Sequence, residues 1–166
     1  NLTGNGNTTG TWTLFSGPTS STITTNSGNT ATATDLVSSS PYSSYTYRYS
    51  LPGYGSCAAS QDDILVRVYP APSQANGNAD VELCFSQTSV TLTGVAPTTG
   101  TASWVRVSGP TPNPTAGAAT VNAYDTTLNI STAGLYVYNY SVNTTAPCVA
   151  STDPVQIIKE TAANAG

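Results

Sequence analysis

Any chemistry in this chain has to come from three cysteines, eight acidic residues and four cations, because histidine and methionine are absent. Losing histidine removes the commonest general base and metal ligand, so a serine triad has no base to complete it. Asp62 and Asp63 are adjacent, and on a strand they face opposite sides, which prevents them from sharing a substrate as an acid–base pair. Solvating the entrance of a strand accounts for both. The alternative use is a calcium site, in which Asp62 or Asp63 joins Asp80 and the linker oxygens of Asn76 or Asn78, since hard cations take oxygen ligands from loops. No DxDxDG-like run supports such a site. The cations are Arg48, Arg67, Arg106 and Lys159 against a net charge of −4, so no basic patch exists to neutralise phosphates. Nucleic acid and anionic membrane are poor partners on that ground, and no apolar run approaches the about 20 residues that span a bilayer. The expectation is a non-enzyme with no cofactor.

The elements that position these residues come in duplicate. Trp12 with Ser16-Gly17-Pro18 returns 92 residues later as Trp104 with Ser108-Gly109-Pro110. Tyr45-Thr46-Tyr47-Arg48-Tyr49-Ser50 returns as Tyr136-Val137-Tyr138-Asn139-Tyr140-Ser141, and Cys57 and Asp62 return as Cys148 and Asp153, all displaced by 91. Leu2-Thr3-Gly4 and Thr8-Thr9-Gly10 map onto Leu92-Thr93-Gly94 and Thr98-Thr99-Gly100. A fixed period of this length marks an array of repeats. Asp80 to Ser89, which opens the second repeat, has no counterpart before Asn1. Ala163-Asn164-Ala165-Gly166 is similar to Ala75-Asn76-Gly77-Asn78. The chain is therefore expected to be a window from a longer array, whose first repeat lacks its N-terminal strand.

Within the second repeat, runs of Val, Thr, Tyr and Ile are separated by Gly, Pro, Asn and Ser, which predicts an all-β sandwich of about seven strands. These fall near Val81 to Phe85, Ser89 to Thr93, Ala102 to Ser108, Ala119 to Ala123, Thr127 to Ile130, Leu135 to Val142 and Val155 to Lys159. Tyr45, Tyr47 and Tyr49, like Tyr136, Tyr138 and Tyr140, alternate with small or polar residues. That period of two puts them on one face, expected to be the core together with Trp12 and Trp104. The competing use of the same aromatics is an exposed sugar-binding or self-association surface. Domain boundaries follow: a truncated repeat over 1–70, a linker over 71–79, a second repeat over 80–160, and over 161–166 the start of a linker to a further repeat. Tyr69-Pro70-Ala71-Pro72-Ser73 favours an extended, stiff connection.

Three cysteines in a chain of extracellular composition, only 7% charged, ask for one bridge and one remainder. Cys84 lies in the first strand of the second repeat and Cys148 before its last. Cys57 takes the Cys148 position in a repeat whose first strand is missing. The expected disulfide is Cys84–Cys148, with Cys57 unpaired; the rival is Cys57–Cys84, across the linker. Lys159 is the sole lysine, so a lysine–asparagine isopeptide staple is impossible in the first repeat. N-x-Ser/Thr sequons occur at Asn1, Asn7, Asn129, Asn139 and Asn143.

The Gly10-Thr11-Trp12 turn, Ser16 to Pro18, the Tyr-x-Tyr-x-Tyr strand, Ser60 to Asp63 after Cys57, and Ala75 to Cys84 together resemble the PKD-like or Ig-like repeats of giant Bacteroidota surface adhesins, gliding-motility adhesins among them. The resemblance covers nearly the whole chain. It implies two tandem Ig-like or PKD-like antiparallel β-sandwich domains, export to the cell surface by the type IX route, and a role in filaments that bind a substratum or polysaccharide. It carries over no catalytic residue, and the family's two cysteines map to Cys84 and Cys148. Asp125-Thr126-Thr127 resembles the O-glycosylation acceptor of that phylum, which marks Thr126. The function expected is a structural or adhesive repeat module, extracellular, whose partners are neighbouring repeats of the same or identical chains, and surface polysaccharide or substratum. A repeat lacking its first strand leaves a slot for a neighbouring strand. The alternative is a carbohydrate-binding module of a secreted multidomain protein.

Overall fold

A computed structural model describes residues 1–4, 10–26, 29–116, 124–145 and 147–163. The chain divides into two compact units, Asn1–Pro70 and Ala71–Gly166. The described residues hold thirteen strands and no helix.

The first unit contains β1 (Leu2–Thr3), β2 (Thr11–Ser16), β3 (Thr22–Thr25), β4 (Thr30–Thr34), β5 (Ser43–Leu51) and β6 (Ser60–Val68). They form two three-stranded sheets, ordered β1-β4-β3 and β2-β5-β6. The second unit contains β7 (Val81–Leu83), β8 (Ser89–Thr93), β9 (Thr101–Ser108), β10 (Thr115–Ala116), β11 (Asp125–Asn129), β12 (Gly134–Asn143) and β13 (Ser151–Lys159). Its sheets are ordered β10-β11-β8 and β7-β13-β12-β9. Strand for strand, β1 to β6 correspond to β8 to β13, so the duplication seen in the residues is a duplication of topology. In the second unit β8, β11 and β10 share one sheet, while β9, β12 and β13 form the other. That division of strands is the immunoglobulin type of antiparallel sandwich. The extra strand β7 pairs parallel to β13, with Ile157 opposite Val81 and Lys159 opposite Leu83.

Each core lies between its two sheets. In the first unit Leu2 and Ala31, from one sheet, pack with Trp12, Tyr45, Tyr47 and Tyr49 from the other. In the second, Leu92 and Leu128 meet Tyr136, Tyr138, Val155 and Ile157. The alternation of β5 and β12 places every stripe tyrosine inward, none more than 5% exposed. Their hydroxyls still need partners once buried, and backbone carbonyls of the flanking loops supply several. Tyr45 donates to Val37 O at 3.0 Å, Tyr136 to Thr132 O at 2.7 Å and Tyr140 to Val95 O at 2.8 Å. The repeated Ser-Gly-Pro has a backbone cause: Gly17 and Gly109 adopt φ of 127° and 147°, a region closed to most side chains, and a Cβ at Gly109 would lie 2.5 Å from the Tyr136 ring.

Several boundaries differ from the sequence reading. β13 begins at Ser151 rather than Val155 and runs through Pro154, which is tolerated because β7 pairs with β13 only from Ile157 onward. β7 stops at Leu83 instead of Phe85, since Cys84 opens a turn closed by Gln87 N–H to Cys84 O at 3.0 Å. The strand expected over Ala119 to Ala123, and the sequon at Asn7, lie outside the described residues; β10 at Thr115–Ala116 pairs with β11. Residues 71–79 are no free linker. They belong to the second unit, held there by Ser73 N–H to Thr99 O at 3.0 Å and Ala75 N–H to Ser151 Oγ at 2.9 Å.

Candidate functional site

The aromatic residues that could have formed a binding platform are spent on the core. Trp12 is buried and Trp104 half-buried, and each indole N–H donates to a backbone carbonyl, Asn29 O at 3.0 Å and Tyr124 O at 2.9 Å. Each indole also packs on the last tyrosine of its stripe, Trp12 on Tyr49 at 5.0 Å and Trp104 on Tyr140 at 4.9 Å between ring centroids. Burial raises the Tyr138 and Tyr140 phenols above their ordinary pKa. Among the described residues the exposed aromatics are others: Tyr54, 91% exposed in the β5–β6 loop, Phe85, Phe15, which lies under the Arg48 guanidinium at 3.6 Å, and Tyr42, with the Arg67 guanidinium over its ring at 5.2 Å.

Asp63 faces outward on β6 and forms a two-pronged ion pair with Arg48 of β5, at 2.7 and 2.8 Å. That hydrogen bonding holds the Asp63 carboxyl below its usual range. Asp80 accepts Gln156 N–H at 2.8 Å in the second unit. Among the described residues no three His, Cys, Asp or Glu side chains cluster as metal ligands. Asp62 and Asp63 diverge from one strand, and Asp63 and Asp80 are each engaged within their own unit, so the calcium set gains no support from these contacts.

The disulfide is corrected. Cys84 follows the end of β7 that pairs with Lys159, whereas Cys148 precedes Ser151 at the opposite end of β13. The nine residues of β13 make eight steps of about 3.3 Å, which separate those ends by roughly 26 Å, far beyond the roughly 7 Å between Cα atoms that a bridge can span. The two strands are neighbours as the repeat suggested, but they run parallel. An antiparallel pairing would have brought the cysteines to the same end. Cys57 is an exposed thiol, in the turn where its N–H meets Tyr54 O at 3.0 Å.

Thr126 pairs with buried Leu92 and shares the inward face of β11 with Leu128. The adjacent Thr127 faces outward, hydrogen-bonded to Thr91 at 3.0 Å between hydroxyls. The glycosylation acceptor read from the residues therefore sits half-buried on the inward face of its strand. Lys159 is 3% exposed and donates its ammonium to the carbonyls of Phe85 and Gln87, tying the turn after β7 to the end of β13.

The first unit also holds a groove of about 320 Å³, lined by Thr3, Trp12, Tyr49, Ser60, Asp62 and Ile64 among others. It lies beside β6, which pairs only with β5 among the described residues. In the second unit the corresponding place is filled by residues 75–78. There Gly77 N–H donates to Asp153 Oδ2 at 2.8 Å, Val95 N–H to Asn76 O at 2.8 Å, and the Asn78 amide to Thr93 O. Ala75 is buried with Tyr140 and Val142. The difference shows in burial: Val155, Ile157 and Lys159 of β13 are buried, and their counterparts Ile64, Val66 and Val68 of β6 are only half-buried.

No protein-family model and no curated protein matches the chain. Among solved structures it is similar to the PKD domain of the KIAA 1837 protein, with 22% identity and a TM-score of 0.43, over 58% of this chain and 97% of that one. It is also similar to the endo-fucoidan hydrolase MfFcnA4 of glycoside hydrolase family 107, with 19% identity and a TM-score of 0.33. That match covers 93% of this chain, and the chain spans 24% of the hydrolase.

Proposed function

We propose that the chain is a non-catalytic structural and adhesive repeat module of a long secreted cell-surface protein. The observation that carries this reading is the shared use of the aromatic stripe. Both units bury it between two sheets, tie its hydroxyls to loop carbonyls and pack its last tyrosine on a tryptophan. Tyrosine rings packed between their own two sheets present no exposed plane for a sugar to stack on, and a sandwich stiffened in this way serves as a spacer that repeats can multiply. The low charge and Thr-, Ser- and Asn-rich surface suit an extracellular position. The resemblance to Bacteroidota gliding adhesins supports type IX export and contact with polysaccharide or substratum as the setting.

A carbohydrate-binding module needs a planar set of exposed aromatics, and the stripe tyrosines face inward, so that reading is not favoured. The test couples the chain to beads and measures their retention under flow on polysaccharide-coated glass, alongside release of reducing ends from the same polysaccharides. Retention without turnover is expected. Sustained hydrolysis, or saturable binding of soluble oligosaccharide with no retention, contradicts the proposal.

A further inference from the structure

We infer that the groove beside β6 is a receptor for an extended peptide of the Ser73–Leu83 type. The second unit displays the occupied form of the same site. There the main chain of 75–78 runs along the start of β13, capped by the Ser151 hydroxyl on Ala75 N–H and the Asp153 carboxylate on Gly77 N–H. The first unit presents the same two acceptors, Ser60 and Asp62, at the wall of its groove. The apolar floor is matched too. Gly77 lies against Val155, Trp104 and Tyr140, and Ile64, Trp12 and Tyr49 line the groove at the equivalent positions.

The occupant's chemistry follows from those contacts. At the Gly77 position a Cβ would come within 2.7 Å of Val155, 2.9 Å of Trp104 and 3.1 Å of Tyr140, so the peptide must carry glycine there. Two residues earlier it needs a small apolar side chain, as Ala75 provides among Tyr140 and Val142. Further on, an aspartate takes the role of Asp80, which accepts a strand N–H, and a short apolar strand pairs parallel with Val66–Val68 as Val81–Leu83 does with Ile157–Lys159. Such strand addition derives affinity from backbone hydrogen bonds and specificity from the alternate side-chain pockets. This assignment does not depend on what the module adheres to.

The experiment titrates a synthetic peptide of residues 73–83 into the ¹⁵N-labelled full chain and follows the two indole N–H signals and the β6 amides. Saturable shifts of the Trp12 indole, with new exchange protection at Val66–Val68 and an unmoved Trp104 indole, are expected. Asp62→Ala in the protein weakens binding by about tenfold through loss of one charge-assisted hydrogen bond, and Gly77→Leu in the peptide abolishes it. The inference is overturned by an unmoved Trp12 indole at millimolar peptide, or by binding indifferent to both substitutions. It is equally overturned if the Trp12 signal shifts with protein concentration alone as a dimer forms, which would give the groove to a second copy of this chain.

Discussion

Asp62 and Asp153 occupy equivalent positions in the two units, yet their replacement should have unequal consequences. Asp153 Oδ2 accepts Gly77 N–H at 2.8 Å, and Asp153 is half-buried beside the strand edge it caps. A hydrogen bond to a charged acceptor contributes roughly 1.5–3 kcal/mol when buried, and partial exposure brings this toward the lower end, about 1.5 kcal/mol. Asp153→Ala also leaves the Gly77 N–H without its acceptor under the segment that covers Tyr140. At roughly 4–8 °C per kcal/mol for a domain of this size, the second unit should lose about 6–12 °C in Tm. Asp62 has no hydrogen-bond partner recorded among the described residues, so Asp62→Ala should change the first unit by less than about 0.5 kcal/mol. Native-state amide exchange reports the units separately, through β5 and β6 for the first and β12 and β13 for the second. Equal destabilisation by the two substitutions, or none by Asp153→Ala, would refute the assignment of residues 73–83 to the second unit as its covering segment.

Other consequences follow from the cores and the strand register. Tyr140→Phe keeps the ring on Trp104 but removes the bond to Val95 O, and should cost about 1 kcal/mol by chemical denaturation. Because burial raises the Tyr138 and Tyr140 phenols above 10.0, the folded state holds their protons more tightly than the unfolded chain. Their contribution is complete below pH 10 and is lost as pH rises through the folded values, so denaturant midpoints should fall on the alkaline side of pH 10. Asp63 behaves in the opposite sense: its lowered pKa gives a contribution present above the unfolded value near 3.8 and lost on further acidification. NMR titration of its carboxyl should find the midpoint below that value, and Arg48→Gln should return it. Peptide mapping without reduction should find no Cys84–Cys148 bridge within the folded chain.

Much of this architecture was legible in the residues because it rests on periodicity. Tyr45-x-Tyr47-x-Tyr49 and its copy at Tyr136-x-Tyr138-x-Tyr140 declare one inward face, and the displacement of about 91 residues declares two copies of one topology. The direction of pairing has no such signature. Val81-Glu82-Leu83 reads the same whether β7 lies parallel or antiparallel to β13, and only the parallel sense separates Cys84 from Cys148. Residues 71–79 looked like a linker because Pro, Gly and Asn usually mark one. Their fixation depends on backbone N–H groups meeting Ser151 and Asp153, about 76 residues away in sequence. The groove beside β6 was legible only in outline, as a slot at the edge of the first repeat. Its walls required the fold, since Trp12, Tyr49 and Asp62 come from three different strands.

The central claim, that the aromatic stripes are structural core and not a ligand platform, is tested most directly by tyrosine nitration of the native chain, mapped residue by residue by mass spectrometry. Tyr54, 91% exposed, should react first, while Tyr45, Tyr47, Tyr49, Tyr136, Tyr138 and Tyr140 stay unmodified until the units are denatured. Reaction of the stripe tyrosines at the rate of Tyr54 in the folded protein would contradict the account and return the chain to the class of ligand-binding modules.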